Sequence, residues 1–293
     1  MGIRIYISTI VAGILSCATL IGQNNQEVSV YGGGGLSTLK YKTVAGKQDN
    51  GTGGLFGIDY TYFFSEKLGF SSGLEIALYN AKMQINDFSD RYMVKDIDED
   101  EFEFRTVVTN YEEKQNTAYL NIPLMLRFQT GGNNKFYAAA GGKIGLPLGG
   151  NYKINSSTIK NSGYYADEDY EYTTQEFMGF GTFTDRNISD EVKFKMALIL
   201  SAELGVRWQL KEGLYLYTGT YIDYGLNDIL NEEKNKRFVE YNAASPRDFI
   251  LNGALVSQYS NDNKTAAFID KITPMAVGIK IRLAFDTNRL SKM

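Results

Sequence analysis

Histidine is absent from all 293 residues. That excludes Ser-His-Asp and Cys-His nucleophilic catalysis and every His-ligated zinc site. Cysteine occurs once, as Cys17, within an N-terminal apolar segment, so the body of the chain is expected to carry neither disulfide nor reactive thiol. Beyond that segment no run approaches the ~18 consecutive apolar residues of a membrane helix. No sign of charge dominates either: the formal net charge is -4, which leaves no electrostatic case for nucleic acid. With only carboxylate, Lys, Tyr and Ser chemistry left, neither an enzyme nor a cofactor is expected.

Only 4 prolines accompany 30 glycines, 21 tyrosines and 17 phenylalanines, a balance that favours β-structure. The chain opens MGIRIYISTIVAGILSCATLIGQ, with Arg4 ahead of an apolar stretch from Ile5 to Ile21. This has the layout of a secretory signal peptide over residues 1–23, the alternative being a retained membrane helix. ILSC also resembles a lipobox, although Leu15 stands where a small residue is usual.

Alternating segments follow, predicting eight strands: Val28 to Lys42, Gly53 to Phe64, Leu68 to Lys82, Thr117 to Gln129, Lys135 to Gly149, Val192 to Leu210, Leu214 to Tyr224 and Ile272 to Phe285. SEK, TGGNN and KEG make three tight connections, whereas 83–116, 150–191 and 225–271 are long. Short and long therefore fall at opposite ends of a meander. The pattern predicts an all-β fold: an eight-stranded antiparallel up-and-down transmembrane β-barrel over 24–286, with long extracellular loops, both termini periplasmic and a short tail at 287–293.

The faces agree. In the sixth segment Val192, Phe194, Met196, Leu198 and Leu200 alternate with Lys193, Lys195 and Ser201; in the eighth, Val277, Ile279, Ile281 and Leu283 oppose Lys280 and Arg282. An apolar face turned to lipid and a mixed face filling a narrow lumen explain this, while a lipocalin-like barrel with the oily face inward shares the same periodicity. Aromatic residues decide for lipid if they form two girdles. Phe63, Phe64, Phe128, Phe136, Trp208, Tyr215 and Phe285 are expected at the short-turn end, and Tyr41, Tyr79, Tyr119, Tyr152, Tyr221 and Tyr224 at the long-loop end.

YLNIPLMLRF (119–128), a short turn, FYAAAGGKIGLPLG (136–149) and the closing ITPMAVGIKIRLAF (272–285) resemble the outer-membrane β-barrel family common in Bacteroidetes, which includes PorT-like proteins and OmpA-like eight-stranded barrels. The resemblance implies the outer membrane of a Gram-negative bacterium, where the chain would meet lipid and lipopolysaccharide; PorT itself is associated with protein secretion, but the shared motifs are barrel-forming patterns and specify no activity. The resemblance carries no site residues. The tail DTNRLSKM after Phe285 departs from barrels that end on an aromatic residue.

Three groups of residues are candidates for function. Asp59, Glu75, Glu203 and Asp223 with Arg127, Lys143, Arg207, Lys280 and Arg282 fall on the lumen face, where charges need partners or water. They either plug the barrel as a paired network or line a small-solute or ion path. Asp96, Asp98 and Asp100 form an oxygen-rich run that offers itself to a cation, although Glu101 and Val107 break the calcium-loop spacing, so no metal site is assigned. Tyr164, Tyr165, Tyr170 and Tyr172, set among acids, offer rigid contact area to a surface or secretion partner. The glycines of 32–35 and 141–145 lack a following GK[ST] and fit a crowded, curved sheet better than a phosphate loop.

Overall fold

The computed structural model describes residues 26–184, 187–261 and 264–287; the predicted signal segment with Cys17, and all but the first residue of the predicted tail, lie outside them. Eight long strands form the body: β1 (Gln26–Lys40), β2 (Lys47–Phe63), β3 (Leu68–Lys95), β4 (Glu101–Gln129), β5 (Lys135–Tyr165), β6 (Ala197–Lys211), β7 (Leu214–Gly225) and β8 (Thr273–Asp286). Each pairs antiparallel with its neighbour, and β8 pairs with β1 over Lys40↔Thr273 to Glu27↔Asp286, which closes the ring.

Alternation sorts the side chains. Phe56, Ile58, Leu126, Phe136, Leu200, Leu204 and Ile279 stand exposed on the outer wall, at 52 to 71% of their full area. Asp59, Glu75, Arg127, Lys143 and Lys280 are buried inside it. The oily face is therefore outward, and the lipocalin-like alternative is excluded. On β3 the apolar band runs from Leu68 to Leu78 and on β8 from Met275 to Leu283, close to the ~9–11 residues a tilted strand needs to cross a bilayer. Inside, glycines make room for large side chains: a Cβ on Gly57 would stand 2.6 Å from the Tyr31 hydroxyl, so Tyr31 lies flat over it.

Two expectations need correction. Five of the six tyrosines assigned to the long-loop girdle point inward: Tyr41, Tyr79, Tyr119, Tyr152 and Tyr221 are buried, and only Tyr224 faces out. Their hydroxyls explain it, since Tyr119 donates to the Lys195 carbonyl (3.0 Å) and Tyr41 to Gln115 (3.0 Å), partners that a lipid face lacks. Phe63 is likewise buried, whereas Phe64, Phe128, Phe136 and Trp208 do face out at the short-turn end.

The second concerns the connections. β3, β4 and β5 run to 28, 29 and 31 residues, far beyond the apolar band, so most of 83–116 is strand and only 96–100 turns. Beyond Asn80 the hydropathy changes phase. Met83, Ile85, Phe88, Phe102, Phe104, Val108 and Tyr111 now face inward, and Lys82, Lys114 and Lys153 outward. The EFEF of the acidic stretch is thus strand with buried phenylalanines. Short strands at Tyr170–Tyr172, Gly181–Thr184 and Ile188–Glu191 add to β5, and β6 starts at Ala197 rather than Val192.

Candidate functional site

The lumen of the barrel holds a ladder of alternating charge. Asp223 meets Lys143 (2.8 Å), Lys143 meets Glu75 (2.7 Å), Glu75 meets Lys280 (3.6 Å) and Lys280 meets Glu203 (2.6 Å). Glu203 then reaches Arg282 (3.2 Å), Arg282 reaches Asp59 (3.2 Å), and Asp59 reaches Arg127 (3.7 Å). Ser29 and Ser201 donate to Asp59 and Asp223, and Asn121 to Glu75 (3.0 Å). Eight of the nine charges assigned to the lumen thus join in one chain. The ninth, Arg207, sits apart against Glu27 (2.9 Å), which also accepts from Tyr217 (2.7 Å).

Glu27 was not anticipated, because the first strand was expected to open at Val28. Its parity with Ser29 and Tyr31 is the signal that places it inside. With it, acids and bases match in number, so the fully ionised interior is neutral. All ten charged residues are at most 6% exposed to water. A continuous water column would leave them open, so this interior is packed.

Above the ladder the long-loop end is closed by protein. The segment between β7 and β8, described over residues 226–261 and 264–272, folds back over the barrel mouth and buries Phe238, Val239, Leu251, Leu255, Val256 and Phe268 against the inward faces of β3 to β5. Phe238 stacks on Phe268 (4.9 Å between centroids) and Tyr111 packs on Phe238 (5.0 Å). Tyr92 donates to the Val239 carbonyl and accepts from the Tyr241 amide, both at 2.9 Å. Sequence periodicity had no means to find this cap, whose strands are two to five residues long.

Glu113 fastens the cap to the barrel. Its carboxylate accepts hydrogen bonds from the Tyr111 hydroxyl, Gln115 Nε2 (2.6 Å) and the Ala254 amide (2.9 Å). Burial nevertheless raises its pKa above the usual carboxylate value, the three donors offsetting only part of that cost. A raised acid pKa means that closure is favoured with Glu113 protonated and weakens as pH rises through the shifted value. Glu113→Gln, neutral throughout, is expected to abolish that dependence. Near-ultraviolet circular dichroism of the cap's packed aromatics, followed from pH 4 to 8 in both proteins, checks it: a wild-type signal that falls with pH beside a flat variant is the expected pair.

The loop candidates are placed as follows. Asp96 is spent on its own turn, accepting from the amides of Asp98 and Asp100 (3.0 Å each) and from the Tyr165 hydroxyl (3.0 Å). Among the described residues no three acidic side chains, these included, converge where a metal ion could sit. Tyr164, Tyr165, Tyr170 and Tyr172 do gather around one turn. Tyr165 is structural, stacked on Phe102 (4.8 Å); Tyr164 lies under Arg105 (4.6 Å); Tyr172 packs edge-on against Tyr165 (5.5 Å). Tyr170 is the one left largely open, near an unanticipated neighbour in sequence, Phe177, at 72% exposure.

A closed eight-stranded ring with an oily outer wall and a charged interior can be compared with known families. The model of the outer membrane protein beta-barrel domain family matches residues 21–231. This chain belongs to that family. Its place is accordingly the outer membrane of a Gram-negative bacterium. No curated protein matches the chain. Among solved structures it is similar to OprG of Pseudomonas aeruginosa (15% identity, TM-score 0.33, covering 89% of this chain and 97% of that one). It is similar also to Neisserial surface protein A (7%, 0.32, 88% and 94%) and to Ail of Yersinia pestis in complex with the heparin analogue sucrose octasulfate (11%, 0.27, 89% and 99%). Identities and scores this low transfer no activity.

Proposed function

We propose that this is a non-enzymatic barrel with a closed lumen, oriented with its termini and short turns in the periplasm, whose folded long-loop end meets a protein partner at the cell surface in export or secretion. The observation that carries the reading is the division of labour along β3 to β5. About half of each strand lies outside the apolar band, and the cap braces it into a platform, although spanning the membrane requires neither. The likeness of 119–149 and 272–285 to PorT-like barrels of Bacteroidetes supports the same role.

Trimming the platform tests it. Replacing 166–190 by a short turn is expected to leave the ring folded and heat-resistant on unheated gels, and to lower crosslinked partner recovered from intact cells by tenfold or more. Unchanged recovery overturns the reading.

One observation favours a second reading, an ion path. Arg127 and Arg282 each keep Nε and Nη1 without an acceptor in the protein, although both guanidinium groups are buried beside Asp59. Buried donors without an acceptor are places where water or an ion would enter a polar interior. Planar-bilayer recording separates the two: reproducible steps that scale with salt belong to the path, and silence belongs to the closed barrel.

A further inference from the structure

The strand registers set out a pattern that the lumen and the cap do not use. Across the outer wall, Asn80 lies opposite Asn116 and Asn116 opposite Asn151; one step farther from the apolar band, Lys82 lies opposite Lys114 and Lys114 opposite Lys153. One step nearer, Leu78 is opposite Ala118. From the band outward the surface therefore reads apolar, then a row of amides, then a row of ammonium groups, on three adjacent strands.

Directly opposed residues of an antiparallel pair hold their Cβ atoms about 4.5–5.5 Å apart, and like charges so placed repel. Here two such contacts occur side by side. All three lysines are exposed, and among the described residues none makes an ion pair with a carboxylate. Two nearby acids are engaged elsewhere: Asp49, opposite Lys82, bridges Lys47 (3.4 Å), and Glu112 accepts from Asn155 (3.3 Å); a third, Glu191, stands exposed opposite Asn151 at the end of the asparagine row. Three ammonium groups side by side, with the single carboxylate of Glu191 one step nearer the band, leave a positive excess that an external anion would neutralise.

Just below the row the wall is not flat. A groove of about 790 Å³ runs between Leu78, Pro147 and Leu148 on its apolar side and Asn116, Asn151, Glu191 and Lys193 on its polar side. Its floor is provided by Gly149 and Gly150, where β4 and β5 slip register. An occupant must combine hydrocarbon at the level of Leu78, hydrogen-bonding groups at the asparagines and negative charge at the lysines.

We propose that Lys82, Lys114 and Lys153, with the asparagine row and groove beneath them, form a binding site for a phosphorylated glycolipid of the outer leaflet. Its phosphates neutralise the lysine row, its sugar lies over the amides and an acyl chain follows Leu78 and Leu148 down the wall. A soluble polyanion would use the lysines and leave the groove empty, so the lipid is the better fit. The assignment to the outer leaflet rests on the orientation proposed above.

The test uses folded protein purified from membranes and placed in phosphatidylcholine nanodiscs with trace bis-phosphorylated lipid A. Lipid retained per barrel is counted by mass spectrometry. Wild-type protein is expected to retain lipid A at least tenfold over its dephosphorylated form. The triple change Lys82→Gln, Lys114→Gln, Lys153→Gln is expected to erase that preference, while Lys67→Gln with Lys211→Gln, at the other end, leaves it intact. Equal retention by the triple variant and wild type overturns the proposal. So does lysine-dependent binding of a soluble sulfated saccharide without lipid A retention, which would assign the row to surface glycans. Protease shaving of an epitope inserted at 262–263 in intact cells reads orientation separately, so a periplasmic cap would overturn the outer-leaflet assignment and be distinguished from failed lipid binding.

Discussion

Glu75→Ala is expected to cost the barrel about 3–5 kcal/mol, the range found when one partner of a buried charge pair is removed. No other acid in the ladder has as many donors. Lys143 (2.7 Å), Asn121 (3.0 Å), Tyr31 (3.2 Å) and Lys280 (3.6 Å) all address its two oxygens, in a site that water does not reach. Each lysine keeps a second acid, Asp223 or Glu203, which holds the cost toward the lower end. What remains is an interior with one uncompensated positive charge. Glu75→Ala with Lys143→Ala restores neutrality, so the double variant is expected to be more stable than the sum of the single losses implies, with a coupling of about 1–3 kcal/mol. Urea unfolding in lipid vesicles, read as the band shift between folded and unfolded forms on unheated gels, measures all three. A single-variant cost below about 1 kcal/mol, with additive changes, would mean a solvated ladder, and the ion path would replace the closed barrel.

The transmembrane part of this architecture was legible because one rule governs it. Lipid outside and a narrow polar interior impose strict alternation, so Leu200 beside Ser201 or Ile279 beside Lys280 announces both strand and face. The same rule hid the rest. Where the wall leaves lipid, water takes the outside and the cap takes the inside, so alternation continues with inverted phase: Leu74, Ile76 and Leu78 point out, and Met83 and Ile85 point in. A reading tuned to one phase ends β3 at Lys82 when it runs on to Lys95.

The tyrosines failed for a related reason. Tyr79 shares parity with Glu75, Tyr119 with Asn121 and Tyr221 with Asp223, and this placed all three in the lumen before any appeal to girdles. The cap was illegible for a different cause. Its hold on β3 to β5 is a set of contacts between residues far apart in sequence, such as Phe88 with Phe268 at 4.9 Å, and these leave no local period.

Ile279→Lys should be the next most damaging change, at about 2–4 kcal/mol, because it sets a cation on the lipid face near mid-bilayer. Ile279 is 64% exposed near the middle of β8, with apolar neighbours Val277 and Ile281 on the same face. Leu78→Lys introduces the same side chain at 48% exposure, yet one outward step from Asn80 and two from Lys82. There the ammonium can snorkel into the headgroup layer, and the expected cost falls to about 0–1 kcal/mol. The contrast locates the edge of the hydrocarbon without reference to which leaflet is which. Unfolding in vesicles that returns equal costs would move the boundary away from the asparagine row. The lysine row would then no longer stand at phosphate level, and the glycolipid site would lose the placement that gives it a ligand.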